Sequence, residues 1–228
     1  VEFQRARSAE QRLERRRQIL STAAVMLTEM PVAKLSLNEL SRRIGLAKSN
    51  VLRYFESREA VLLELLLAEM RDWVAELERA APPGGGTPRE RGDRLAETLA
   101  ASLARRPVMC DLLAAQAAVL EHNISTEVAV RHKRAAWQNT QALVELVRRL
   151  LPELGTEGAA QLVETTVLTA MAAWPCSRPS EALLAAYDSD PALAPLRLDF
   201  ADLVRRTAQV TASGLLARHE TASARPAS

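Results

Sequence analysis

Lys48, Ser49, Asn50 and Arg53 fall within six consecutive residues, with Ala47 just before them and Tyr54 just after. An amide such as Asn50 is shaped to grip adenine through two hydrogen bonds, and a guanidinium such as Arg53 to grip guanine. Lys48 and Ser49 add donors for base edges or phosphates. The chemistry these residues suit is recognition of a duplex, with no bond to break. Residues suited to catalysis are not grouped in this way. His122, His132 and His219 are scattered, and Glu121, His122 and His132, the nearest approach to a metal set, match no ligand spacing. No G-x-S-x-G, phosphate-binding loop or dinucleotide fingerprint is present. No catalytic residue, cofactor or metal is therefore expected, and saturable turnover by the purified protein would reopen the question.

The segments flanking these residues have the pattern needed to present them. Ser36 and Glu39 form S-x-x-E, a capping box that starts a helix. Leu37, Leu40 and Ile44 then make one apolar stripe, and Gly45 stands where a helix ends with positive φ. A second helix, about Ala47 to Tyr54, would turn Val51, Tyr54 and Phe55 inward and Lys48, Ser49, Asn50 and Arg53 outward. Two short helices joined by a glycine turn form a helix-turn-helix, whose second member enters the major groove. Ser36, Arg43, Tyr54 and Arg58 would then position the unit on phosphates, unless Tyr54 is a core ring with its hydroxyl at the rim. Short helix pairs around a glycine are common, so the spacing alone is not decisive, and a helical adaptor with no DNA role would leave the pattern from Ser36 to Arg58 unexplained.

The stretch resembles the N-terminal domain of TetR-family transcriptional regulators. The residues that carry the likeness are Ile19, Leu20, Ala23, Ala24 and Leu27 in a first helix, then the run from Gly45 to Phe55 and Ser57, Arg58, Glu59 and Val61. The resemblance implies a DNA-binding protein controlled by a small molecule, most often a repressor, and puts Arg58 at the family's lysine position near a backbone phosphate. Three positions depart from the family pattern. Leu52 stands where a DNA-contacting tyrosine is usual, Ala47 replaces a hydroxyl residue, and Asn50 stands where threonine is frequent.

Composition fits this reading. The 228-residue chain is 48% hydrophobic but only 4% aromatic, rich in Ala, Leu, Arg and Glu, and without extended β-branched alternation; an all-α fold is expected. The net charge of +2 hides an asymmetry: residues 1–58 hold twelve Lys and Arg against six Asp and Glu, a basic head on a mildly acidic remainder. A non-specific architectural DNA binder would need the head but not the large acidic body. No apolar run is long enough to cross a bilayer, and the N-terminus lacks an apolar leader, so a soluble cytoplasmic protein is expected. Cys110 and Cys176 form no metal or redox pair.

Two domains are expected, a DNA-binding helix-turn-helix domain over 1–58 and a helical effector-binding and dimerisation domain over 59–228. Helix signals place elements at about 9–30, 57–80, 89–105, 107–123, 125–151, 156–174 and 198–218, with a loop at Pro82–Pro88 and at most one short helix, about 180–186, between Pro175 and Pro195. Arg5, Arg7, Arg12, Arg15, Arg16 and Arg17 of the first segment are candidates for phosphate or minor-groove contacts, or for a solvated helix face. The long helix after Ser57 suits a lever between body and head. By resemblance, the body encloses a ligand pocket, for which Met109, Leu113, Gln116, Trp137, Asn139, Thr140, Leu143 and Trp174 combine apolar bulk with a few polar groups. Few charges fall among them, which favours an apolar or aromatic neutral effector. Also by resemblance, the last two long helices form a homodimer interface. Leu162, Val163, Thr166, Val167, Ala170, Phe200, Leu203, Val204, Thr207, Thr211 and Gly214 are the candidates, although an intramolecular bundle would need similar stripes.

Overall fold

The computed structural model describes residues 2–80 and 84–223, with side chains from residue 10 to residue 219. Arg5 and Arg7 by their side chains, and Pro82 and Pro83 entirely, lie outside the described residues. Every regular element described is helical. The chain forms two compact units, one of Val1–Met70 with Asp111–Ala136 and the other of Arg71–Cys110 with Trp137–Ser228.

In the first unit, α1 (Glu2–Glu29) buries Ile19, Ala23, Met26 and Leu27 and stops before Pro31. α2 (Leu37–Ile44) starts where Ser36 Oγ accepts the Glu39 amide at 3.2 Å. The reciprocal half of the expected capping box is not formed. The Glu39 carboxylate instead takes Arg42 at 2.6 and 3.0 Å and Arg43 at 3.3 Å, since two guanidiniums one turn away outcompete a single amide. Gly45 closes the helix at φ 73°, and Leu46 N–H reaches back to Ser41 O at 2.9 Å, the bond pattern of a left-handed helix end.

α3 (Lys48–Leu52) is shorter than the pattern predicts. Ala47 precedes it without a side chain that can cap, and after Leu52 the chain tightens, with Arg53 N–H on Asn50 O and Tyr54 N–H on Val51 O. Leu40, Val51 and Phe55 are buried and fix the α2–α3 pair against the apolar side of the unit. α4 (Arg58–Arg79) follows, capped by Ser57 Oγ on the Ala60 amide at 3.1 Å.

α5 (Pro88–Ala104) carries a full capping box between Thr87 and Glu90. α6 (Pro107–Ala115) does not run unbroken to Asn123: a wide π-type turn over Gln116–Leu120 ends it. α7 (Thr126–Leu150) and α8 (Gly155–Cys176) follow, α8 carrying Pro175 inside its last turn. Between Pro175 and Pro195 the short helix expected at about 180–186 is α9 (Glu181–Ser189), and a 3-10 turn, Pro191–Leu196, follows it. α10 (Phe200–Ser223) packs along α5 and α8 within the second unit. Ala208 and Ala212 are buried there, and the position of a Cβ on Gly92 of α5 would lie 3.5 Å from the Ala212 methyl, so small residues let these two helices approach closely. A buried hydrogen bond, Trp73 Nε1–H to Ser102 Oγ at 2.9 Å, satisfies both polar atoms in the core of this unit.

Candidate nucleic-acid interface

A single inward residue in the five of α3 sets the surface. Val51 is wholly buried, while Ala47, Lys48, Ser49, Asn50 and Arg53 are exposed. Lys48 and Arg53 make no ion pair with any described residue, so both charges are available to an anion. Leu52 is 41% exposed on the same short helix, an apolar side chain where solvent alone would favour a polar one. Ser36 is exposed at the start of α2, its hydroxyl engaged as a cap but able to donate.

Arg43 and Arg58 stand differently. Arg43 is held by Glu29 at 2.6 Å and Glu39 at 3.3 Å. Hydrogen bonding from Arg43 holds the Glu29 carboxyl below the ordinary range, and bonding from Arg42 and then Arg43 does the same for Glu39, so both are charged at neutral pH. Arg58 Nε is buried 3.3 Å from the Glu59 carboxylate, close enough for an ion pair but not aligned as a hydrogen bond.

The end of α3 is clamped from α1. Arg16 donates to Tyr54 O and to the Glu64 carboxylate, and its guanidinium lies 4.3 Å over the Phe55 ring. Arg12 reaches Arg53 O at 3.5 Å and lies 5.9 Å over the Tyr54 ring, which is half-buried. Arg16 is thus neither a phosphate hand nor a solvated face; it is a strut. Leu13, one turn before it, is 55% exposed, so the apolar spacing of α1 does not announce that role. Glu56, exposed just after Phe55, accepts the Ser125 amide at 2.6 Å, tying the end of the helix-turn-helix to the start of α7.

A family model described as "Bacterial regulatory proteins, tetR family" matches residues 19–65, and one described as "Tetracyclin repressor-like, C-terminal domain" matches residues 67–219, more than half of the chain. The chain belongs to the TetR family. TetR-family regulators bind DNA, respond to small molecules and are not enzymes. Similar solved structures include a TetR transcriptional regulator from Rhodococcus sp. RHA1, with TM-score 0.56 and 15% identity over 89% of this chain and 96% of that one. A TetR/AcrR-family regulator from Thermobifida fusca YX-ER1 gives 0.51 and 22% over 88% and 98%. FadR from Bacillus subtilis, in complex with stearoyl-CoA, gives 0.54 and 14% over 86% and 97%. At these identities the likeness is one of fold. No curated protein matches the chain at a significant level.

The TetR-type body places the remaining candidates unevenly. In the second unit Met109 and Leu143 are enclosed, Asn139 is buried and Thr140 half-buried. Trp174 is buried edge-on to Phe200, ring centroids 4.9 Å apart, under the Arg178 guanidinium. Trp137 is 64% exposed. Leu113, buried, and Gln116, half-buried, belong to the first unit. A cleft of about 360 Å³ in the second unit, lined by Gly84, Gly85, Arg91, Arg94, Arg149, Leu150 and Pro152, involves none of these eight. Arg91 there caps α7 by donating to Leu150 O at 3.2 Å and pairs with Glu153.

Of the interface candidates, Leu162, Val163, Thr166, Ala170, Phe200 and Val204 are buried within the chain's own fold. Val167, Leu203, Thr207 and Thr211 are half-buried and Gly214 is exposed. Leu168 on α8 and Val210, a member of the apolar stripe of α10, are 55% and 73% exposed. His122 is exposed, and among the described residues no three side chains are grouped to hold a metal. No described helix is long and apolar enough to cross a membrane.

Proposed function

We propose that this chain is a sequence-specific transcriptional repressor that binds a near-palindromic operator as a homodimer and is released by a small molecule. The observation that carries the proposal is the outward set on α3 and at its C-cap: Lys48, Ser49, Asn50 and Arg53 exposed together, the two cations without an ion pair among the described residues, on a helix set by the left-handed turn at Gly45. Asn50 and Arg53 read base edges, while Ser36, Tyr54 and what the carboxylate pairs leave of Arg43 and Arg58 hold the backbone. With Leu52 in place of the family's tyrosine, base readout rests more heavily on Lys48, Asn50 and Arg53.

The second copy docks on the accessible side of α8 and α10, where Leu168, Val210 and Gly214 are exposed beside the half-buried Val167, Leu203, Thr207 and Thr211. Exposed apolar residues on two adjacent helices suit a self-complementary interface. The effector is neutral with an apolar or aromatic body, because the pocket candidates carry no charge. It shifts operator affinity only as far as it prefers the DNA-incompetent state.

Competition of a selected operator against bulk duplex at fixed salt tests this. A regulator prefers its site by about 10³ or more. Equal affinity for both would make the protein an architectural binder and end the proposal.

A further inference from the structure

The π-type turn after α6 gathers a polar cluster inside the same compact unit as the helix-turn-helix. Gln116 Nε2 donates to Glu121 Oε1 at 2.7 Å and stands 3.4 Å from His132 Nε2; Lys133 Nζ donates to the same Glu121 oxygen at 2.6 Å. His132 is 3% exposed, and its Nδ1 is buried without a hydrogen-bond partner among the described residues. Such wide turns are frequent at functional sites.

The proton positions follow from this geometry. Burial raises the Glu121 carboxyl, but hydrogen bonds from Lys133 and Gln116 outweigh it, so Glu121 titrates below the ordinary range and is an acceptor only at neutral pH. The group facing it must therefore be the Gln116 NH2, which fixes the amide's orientation. That NH2 also faces His132 Nε2, which is then the acceptor nitrogen, leaving the ring hydrogen on Nδ1. Burial, reinforced by the Lys133 charge, lowers the His132 pKa, so the ring is neutral. The result is an enclosed N–H donor, fixed in tautomer, with no acceptor among the described residues.

We propose that His132, oriented by Gln116 and Glu121, is the polar anchor of an effector site and donates its Nδ1–H to the carbonyl oxygen of a neutral, largely apolar ligand. This rests on the regulator reading above and names the chemistry of its effector. Within the cluster Glu121 and Lys133 cancel, which favours a neutral ligand over a carboxylate. Leu113, Leu120 and Val128 are buried on the segments around the cluster, which suits an apolar body for the ligand. Seven residues before His132, the Ser125 amide is held by Glu56, so a ligand at the ring bears on the segment that the helix-turn-helix already grips.

The test uses the full chain with 15N-labelled histidine and two matched pairs of probes, acetophenone with α-methylstyrene and 2-decanone with 2-methyl-1-decene, in which C=CH2 replaces C=O. Long-range 1H–15N spectra should show His132 protonated on Nδ1, and at least one ketone should shift that signal and bind ten-fold or more tighter than its alkene. His132→Phe should erase the preference while leaving the melting temperature equal or higher, since an apolar ring removes an unmatched donor. Protonation on Nε2, silence of the Nδ1–H to both ketones (a trapped water only), equal binding of ketone and alkene, or a melting temperature lowered by His132→Phe would each overturn the assignment. If the parent selects no operator, the regulator reading falls instead, and the ketone–alkene contrast is still decided by the spectra.

Discussion

Replacing Arg16 by alanine separates a strut from a phosphate contact. The guanidinium donates to Tyr54 O, pairs with Glu64 and covers Phe55, with side-chain exposures of 24% for Arg16 and 33% for Glu64. A hydrogen bond from a charged donor contributes about 1.5–3 kcal/mol, a partly exposed cation–π contact about 0.5–1 and a partly exposed ion pair about 0.2–1. These overlap, so Arg16→Ala should cost roughly 2–3 kcal/mol. Arg16→Lys, which keeps charge but loses the fork and the flat stacking surface, should fall between variant and parent. Urea unfolding followed by far-UV circular dichroism gives the stability, and operator titration at several salt concentrations gives the electrostatics. A strut leaves the slope of log K against log salt unchanged and weakens all operator variants alike. A phosphate contact would lower that slope by about 0.9 and leave the unfolding midpoint where it was; that result would refute the reasoning.

Gly45→Ala should cost about 1–2 kcal/mol from backbone strain at φ 73° alone, because no heavy atom lies within 4 Å of the added methyl, and Gly45→Asn should cost less; urea midpoints check both. Glu76 receives Arg105 at 2.8 Å and Arg106 at 2.6 Å, bonds that lower its carboxyl from 4.5 in the folded state. Its contribution is therefore present above pH 4.5 and fades as the pH falls through the lowered value, so Glu76→Gln should be less stable than the parent at pH 7 and approach it in acid. Glu56→Ala should speed hydrogen exchange at the Ser125 amide, which loses its acceptor, with distant amides unchanged.

What the sequence shows is what is local. Ser36 and Gly45 bound α2 as expected because a cap and a left-handed end are decided by neighbours within five residues. Glu39 was misassigned, since S-x-x-E does not say that arginines one turn on will claim the carboxylate. Arg16 finds its partners 38 and 48 residues away, beyond any spacing rule. Pro175 reads as a stop, yet a proline in a final turn forfeits one hydrogen bond and the helix runs on to Cys176. The stripes of α8 and α10 suit a second chain or an intramolecular bundle equally; six of the eleven candidates are buried within the chain's own fold, because one apolar face looks the same whichever partner covers it. Aromatic bulk likewise cannot distinguish the buried Trp174 from the exposed Trp137.

The central claim is that α3 reads a symmetric DNA site, and selection from a random duplex pool by the full chain and by Asn50→Ala tests it most directly. The parent should enrich a near-palindrome with half-site centres about one helical turn, roughly 34 Å, apart or slightly more. Asn50→Ala should keep the spacing and lose about 1–3 kcal/mol of preference at one base pair in each half. A pool left unenriched by the parent, or a variant that selects the same sequence with the same strength at every position, would contradict it.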